Sequence, residues 1–492
     1  MPKFVFPSRD DFLNRRADLE RLEDWWAGGD PNALVLYGRR RVGKSWLFRA
    51  FADGKPAVVL VAERRAEGAQ LRRFADQLEP YLGLRPDLTD LAGLIAALYK
   101  LGEQKKTLAI IDELPYLLPL RAEQRYEVLT SVQAVMEERG ASMLKLVLCG
   151  SYIGQMTALL SEASPLRGRL TPLAVEPLRF ADAQAFAGGS SPRQRIENYA
   201  VAGGTSLYLD ELVRGRRDLR TQVCERVLNP RGPLFNDPRE ILEEELRQPG
   251  IYFSLLEELA SGARAIGDLA RAIGKRTHDL GPYLETLEEM RLVEKLAPVT
   301  AQRVHRDHRF RLADGFMRFW FRFVFSFQED LRTGLRPQDL YDSEIAPAFA
   351  EFVAPLFEGL CREWTRKELG VQASRVGAWW GIALNELRRA GQRQTEEIDI
   401  VGLRRGMVTV VGECKWTASP MARRTVEDLE AYKLPAMRQA KVRFVGEGPL
   451  ILLFSRSGFR RSLVELAANR EDVRLVGLEE LVGGLMGQPP IG

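Results

Sequence analysis

The chain has 492 residues, of which 45% are hydrophobic and 28% charged, and its formal charge is +4. That is the composition of a folded globular protein, too long for one core and sized for roughly three domains of about 150 residues. The modest charge permits a nucleic-acid partner but does not argue for one, which would take a local basic face. The four cysteines stand far apart with no C-x-x-C pair, so they supply neither a zinc motif nor a disulfide framework. The opening stretch MPKFVFPSRDDFLNRR lacks the apolar core of a signal peptide, and FMRFWFRFVFSF, broken by Arg318 and Arg322, is too short to span a bilayer. A cytoplasmic protein with no membrane partner is expected.

Along the chain, residues 12–28 carry Leu19, Leu22 and Trp26 at helical spacing. Short apolar runs follow: ALVLYG, then 57–62, 107–112 and 145–150, with helical stretches between them. Strands of this kind alternating with helices predict a parallel sheet covered on both faces. From about 190 to 245 the pattern turns helical and charged. Residues 251–298 give three helical pieces and a strand, an aromatic-rich piece follows at 309–330, and a last α/β segment begins near 346.

YGRRRVGKSW contains G-x-x-x-x-G-K-S from Gly38 to Ser45, directly after a strand and before a helix. The glycines let backbone N–H groups curl around phosphate oxygens, and the following helix turns its positive end toward them. Gly38, Arg41, Val42, Gly43, Lys44, Ser45 and Trp46 are the expected nucleotide-binding residues. Lys44 would reach the β- and γ-phosphates, and Ser45 would place its hydroxyl on Mg²⁺. At the end of LAIID, Asp112 is the second expected metal-site residue, and Glu113 the group that polarises the attacking water. Ser151, after the strand ending LCG, is placed either to sense the γ-phosphate or to cap a helix. In SPLRGRL, Arg167 or Arg169 is either an arginine finger, with Arg169 preferred, or a surface salt bridge.

These stretches, with FLNRRADLERL, IIDELPYL and LVLCGSYIGQM, resemble the archaeal-type ATPases, a STAND-related branch of P-loop NTPases near the AAA+ class. The resemblance implies ATP and Mg²⁺ as cofactors, packing of the Phe12–Arg15 region near the adenine, and a helical lid after the core. YAVAGGTSLYLDEL resembles the lid's glycine pair, with Ser206 where the family usually has proline.

Residues 251–298 fit a winged helix-turn-helix. Leu255, Leu256 and Leu259 mark the first helix, Ile266, Leu269 and Ile273 the second, and Tyr283, Leu284 and Leu287 the third, with the turn at Gly274. Lys275, Arg276, Thr277 and His278, at the start of the third helix, would reach DNA phosphates or base edges. Acids and bases balance across the segment, so a rigid spacer or protein-binding module fits it as well. The basic piece 303–311 reads as a wing tip or as a solvated hairpin.

In EEIDIVGLRRGMVTVVGECKW, two strands meet at a turn over Arg404–Gly406. Glu413 and Lys415 share a face while Cys414 takes the other. With Asp399 on the partner strand and Glu358 on the preceding helix, they form a D-x(n)-E-x-K pattern. That pattern resembles the restriction-endonuclease-like fold, in a segment that accompanies archaeal-type ATPases as a domain of unknown function. The resemblance implies Glu358, Asp399 and Glu413 as metal ligands and Lys415 as the catalytic lysine of phosphodiester cleavage. A buried salt-bridge cluster in a non-cutting domain is the alternative.

The expected organisation is therefore α/β and multidomain. It comprises a P-loop ATPase core (1–190), a helical lid (191–245), a winged helix-turn-helix (246–312), an aromatic-rich connector (313–345) and a restriction-endonuclease-like domain (346–492). Three whole-chain readings stay open: an ATPase that positions a DNA nuclease, an ATP-dependent regulator or scaffold that does not cut, and a pure ATPase with no nucleic-acid partner. A homo-oligomer is compatible with each.

Overall fold

The apolar runs of the first third form a five-stranded parallel sheet, seen in a computed structural model that describes residues 15–487 apart from 189, 216–217, 247, 302–307, 390–393 and 447. Its strands are β1 (Ala33–Tyr37), β2 (Ala57–Val61), β3 (Thr107–Asp112), β4 (Leu144–Gly150) and β5 (Leu170–Ala174), in the order β2-β3-β4-β1-β5. Helices α1 (Arg16–Ala27), α2 (Lys44–Ala52), α3 (Glu67–Leu82), α4 (Leu91–Leu101), α5 (Ala122–Glu137) and α6 (Ile153–Ala158) run between them.

Alternation along the strands divides the core. Leu34, Leu36, Leu108 and Ile110 meet Leu22, Trp25, Leu47, Phe48 and Phe51 of α1 and α2. Val35, Ala109 and Ile111 meet Leu71, Phe74, Leu94, Leu98 and Val132 on the other face. Both faces are thus apolar, as a parallel sheet requires. Burying each such side chain contributes about 1.5–3 kcal/mol relative to exposure. On α1 the helical face differs slightly from expectation: Trp25 is buried and Trp26 only partly so. This unit ends at Leu178, short of 190, and takes in 205–207 and 289–291.

The second unit holds the remaining residues. Within it, the helix Gly250–Ala260, strand β6 (Arg264–Ala265), the helices Ile266–Ile273 and Gly281–Glu289, and strands β7 (Val293–Leu296) and β8 (Arg309–Leu312) follow in order. The three strands pair antiparallel as β6-β8-β7. Gly274 ends the second helix at φ 70, a left-handed value that suits glycine. Lys275–His278 are exposed but precede the third helix, which starts at Gly281 after a 3₁₀ turn over Thr277–Asp279. Most of the basic 303–311 piece lies outside the described residues, as do Phe12, Leu13 and Asn14.

The aromatic piece is a buried helix, Gly315–Phe323, in which Trp320 donates to the Phe235 carbonyl at 2.8 Å. The buried Arg318 donates to the Phe352 carbonyl at 2.7 Å, and burial lowers its pKa to about 9. The last segment packs the helix Ala346–Glu368 on a mixed sheet, β13-β12-β11-β10-β9. Its strands are β9 (Arg375–Ile382), β10 (Thr395–Arg404), β11 (Met407–Lys415), β12 (Leu450–Ser455) and β13 (Val473–Val476). The β10–β11 turn places Arg405 and Gly406 at φ 50 and 77, as a two-residue hairpin connection requires. Among the described residues no helix is long and apolar enough to cross a membrane.

Candidate functional site

The loop between β1 and α2 is shaped by its two glycines. A Cβ on Gly38 would lie 2.3 Å from the Val175 carbonyl oxygen, so no larger residue fits there. Gly43 sits at φ 95, and Arg41 carries a left-handed φ of 68 beside it. Lys44 is buried, and its ammonium donates to the Gly38 and Arg39 carbonyls, each at 2.8 Å. Those bonds close the loop into a ring around the lysine.

The loop is also held from outside. The Arg15 guanidinium donates to the carbonyls of Val42 and Glu176. Ser206 donates to the Val42 carbonyl at 3.0 Å, and the Leu207 N–H to that of Arg41 at 3.4 Å. The Ser206 hydroxyl therefore ties the 205–207 segment to the loop. Trp46, on the first turn of α2, is about half exposed, at 48%.

Two further strands end beside the loop. Asp112, the last residue of β3, is buried, and its Oδ2 accepts from the Ser45 hydroxyl at 3.2 Å. A hydroxyl and a carboxylate oxygen side by side are the hard ligands that suit Mg²⁺. Glu113 stands at φ 54, which turns its side chain across to β4. There its Oε2 accepts from the Ser151 hydroxyl at 2.8 Å and the Ser151 N–H at 3.2 Å. The Ser151 hydroxyl is thus engaged with Glu113, and the helix after it is capped by Tyr152 with no side-chain bond. Lys44, Ser45, Asp112, Glu113 and Ser151 accordingly gather at the carboxyl ends of β1, β3 and β4, where open parallel sheets bind ligands.

Arg169 does not join them. Its carbonyl accepts from the Ala33 N–H at 3.1 Å, and its neighbour Leu170 pairs with Ala33, at the amino end of β1. The phosphate loop is at the other end of that strand, roughly 16 Å away at about 3.3 Å per residue. Arg169 is instead ion-paired with Glu137, and Arg167 with Glu162 at 3.0 Å. The parallel direction of β5 places Arg169 at the amino end of its own sheet, so within this chain the salt-bridge alternative holds, and the finger reading is left to the nucleotide of a neighbouring chain.

Sequence reasoning missed a group beside the phosphate loop. Arg40 donates to the Tyr116 hydroxyl at 2.9 Å and the Tyr152 hydroxyl at 3.3 Å, and Arg64 donates to Tyr152 at 3.1 Å. The two rings meet edge to face, with centroids 5.9 Å apart. Tyr116 and Tyr152 lie three and one positions beyond Glu113 and Ser151, and that adjacency was the available signal.

At the end of the mixed sheet, Glu413 is 2% exposed. Its carboxylate is held by Lys433 at 2.6 Å, with Lys415 at 3.7 Å. Burial pushes its pKa up, the nearby Asp399 charge adds to that, and the two lysines oppose it, leaving it raised to about 7. Glu358 is likewise raised to about 7, by burial and then by Asp399. Glu358 and Glu413 therefore both feel Asp399. They do not converge as ligands: among the described residues no group of three His, Cys, Asp or Glu side chains is arranged to hold a metal ion.

The pairing of β10 with β9 shifts register between Ile398 and Val401, beside Asp399. Asp399 accepts from the Cys414 N–H at 2.8 Å. Glu413 instead faces a cleft of ≈ 270 Å³ lined by Glu396, Glu397, Lys415, Thr425, Asp428 and Lys433. Of the expected set, Glu413 and Lys415 line this cleft, and Glu358 and Asp399 do not. Lys433 was missed because it comes from a helical turn twenty residues further along the chain.

A P-loop ATPase core is the class that the parallel sheet and the site at its carboxyl edge define. Residues 12–209 match an ATPase domain predominantly from Archaea, and residues 320–428 match a family of Archaea bacterial proteins of unknown function. Through its first segment the chain belongs to that archaeal ATPase-domain family. An uncharacterized protein of Methanocaldococcus jannaschii is 25% identical over 401 residues, covering 80% of this chain and 84% of the relative. An uncharacterized ATP-binding protein of the same organism is 48% identical over 44 residues, 9% of this chain and 75% of that protein. Among solved structures, the chain is similar to a Walker-type ATPase of Pyrococcus abyssi at 21% identity, with a TM-score of 0.48, over 65% of this chain and 98% of that one.

Proposed function

We propose that the protein binds and hydrolyses Mg-ATP at the loop of Gly38–Ser45 and uses that cycle to control a DNA-binding module. The observation that carries the reading is the gathering of Lys44, Ser45, Asp112, Glu113 and Ser151 at adjacent strand ends. Ser45 and Asp112 would hold the magnesium ion, which screens phosphate charge when bound. Lys44 exchanges its two carbonyl partners for phosphate oxygens. Glu113 orients the attacking water, and Ser151 fixes the Glu113 carboxylate.

The DNA-binding part rests on the order helix, short strand, two helices and two strands over 250–312, which is that of a winged helix. Lys275, Arg276 and His278 are exposed ahead of its third helix. Fluorescence anisotropy of labelled duplex DNA tests this part. Wild type is expected to bind with a salt-dependent affinity, and Lys275→Glu with Arg276→Glu to weaken binding and flatten the salt slope. Binding unchanged by the double substitution removes the module from DNA contact.

For the last domain, the bond from Lys433 to Glu413 favours a regulator or scaffold that does not cut. A second reading, metal-dependent phosphodiester cleavage with Lys415 as catalytic lysine, is favoured by the charge of Asp399 that both Glu358 and Glu413 feel and by Lys415 3.7 Å from Glu413. Cleavage of DNA with Mg²⁺ or Mn²⁺ by wild type and not by Glu413→Ala decides for the second reading. No cleavage by either decides for the first.

A further inference from the structure

We propose that Arg40, a residue of the phosphate loop itself, is a catalytic residue of the ATPase. Its guanidinium lies on the γ-phosphoryl oxygens of ATP bound in the same chain, and Tyr116 and Tyr152 are the positioning residues that hold it there. This rests on the reading that the loop hydrolyses ATP.

Position is the first argument. Arg40 follows Arg39, whose carbonyl holds the Lys44 ammonium, so its backbone lies in the ring that closes around that lysine. Its side chain is fixed by two phenol hydroxyls. One belongs to Tyr116, whose N–H donates to the Glu113 carbonyl at 3.0 Å. The other belongs to Tyr152, next to Ser151, which binds the Glu113 carboxylate. The guanidinium is thus tethered to the two residues that flank the water-orienting group, on the side of the loop where the bond to be cleaved must lie.

Charge is the second argument. In hydrolysis the water oxygen bonds to the γ-phosphorus while the bond from that phosphorus to the bridging oxygen breaks. Its electron pair stays on ADP, and the water proton passes to Glu113. Negative charge spreads over the γ-phosphoryl and bridging oxygens, and an arginine aimed there is worth about 10³–10⁵ in rate. Arg169 is at the opposite edge of the sheet and cannot supply that charge within the chain. Arg40 can, and Arg64, bonded to the same Tyr152 hydroxyl, brings a second guanidinium to the group.

The tyrosines add direction. Arg40 also lies over the Tyr152 ring, 5.3 Å from its centroid. A planar guanidinium held by two hydroxyls and a ring face has little freedom left, so its forked donors are aimed before substrate arrives.

The test uses the full chain and Arg40→Ala, Arg40→Lys, Tyr116→Phe and Tyr152→Phe, each compared with wild type in melting temperature. Three quantities are read: kcat for phosphate release, Kd for ATP, and the preference for ADP with aluminium fluoride over ADP alone. Arg40→Ala is expected to lose about 10³ or more in kcat, keep its Kd for ATP within about threefold, and lose the aluminium-fluoride preference by the same factor as kcat. Arg40→Lys is expected not to rescue, because an ammonium lacks the planar fork. The tyrosine variants are expected to lower kcat about 3- to 10-fold at unchanged Kd, the size of one lost hydrogen bond.

Wild-type kcat in Arg40→Ala overturns the proposal. So does loss of ATP affinity in step with kcat, the signature of a clamp that only shapes the loop. A wild-type chain that binds ATP but releases no phosphate overturns the hydrolysis reading itself, and is told apart because the failure then lies in the wild type.

Discussion

The Glu113 carboxylate accepts two hydrogen bonds from Ser151, one from the hydroxyl at 2.8 Å and one from the backbone N–H at 3.2 Å. The second does not depend on the side chain. Ser151→Ala therefore keeps half of the tether, and its kcat is expected to fall only about tenfold, or roughly 1.4 kcal/mol in barrier. Steady-state phosphate release at saturating ATP checks this. A loss of several hundredfold would assign the serine hydroxyl a direct role on substrate.

Gly38 is fixed by sterics. With Val175 O only 2.3 Å from where a Cβ would stand, Gly38→Ala forces backbone to move at the root of the loop. ATP affinity is expected to fall more than about tenfold, and the thermal stabilisation by saturating ATP to shrink with it. A thermal shift equal to that of wild type would place the nucleotide elsewhere.

Glu413 predicts a pH dependence. Its pKa rises from about 4.5 unfolded to about 7 folded, so between those values the native state binds the extra proton. The contribution to stability is present in full below about 4.5, is lost as pH rises to about 7, and is flat above. At about 1.4 kcal/mol per unit this comes to about 3.5 kcal/mol. Glu358 acts in the same direction. Glu413→Gln is expected to show a smaller fall in melting temperature between pH 5 and about pH 8 than wild type. An identical fall would mean that Glu413 is ionised throughout.

Lys433 is predicted to matter in the opposite sense. Removing it leaves a buried carboxylate without its closest partner. Lys433→Met is expected to cost about 3–5 kcal/mol at pH 8, where Glu413 is charged, and much less near pH 5. Denaturant titrations at the two pH values check the difference. An equal cost at both would reduce Lys433 to a packing residue.

The nucleotide site was legible because its chemistry is written locally. Gly38–Ser45 is contiguous, and Asp112–Glu113 and Ser151 each end an apolar run, so strand periodicity alone brings them to one sheet edge. Arg169 misled because strand order is not a local property: β5 enters the sheet beside β1 with its start at the far edge. The Arg40–Tyr116–Tyr152 group joins three loops through side chains, and its one mark in the sequence is the nearness of the two tyrosines to Glu113 and Ser151. At the second site the hairpin was legible, from its turn residues and alternating strands. The shift beside Asp399 is a one-residue change of register that the residue pattern does not mark. Lys433 arrives by tertiary packing.

The most direct measurement is phosphate release from Mg-ATP by the purified full chain, wild type beside Glu113→Gln, with ATP affinity measured on both. Phosphate release by wild type, a loss of about 10² or more in kcat for Glu113→Gln and an unchanged Kd are the expected results. A Glu113→Gln chain that turns over at the wild-type rate, or a wild type that binds ATP and never releases phosphate, would contradict a hydrolytic site at the ends of β1, β3 and β4.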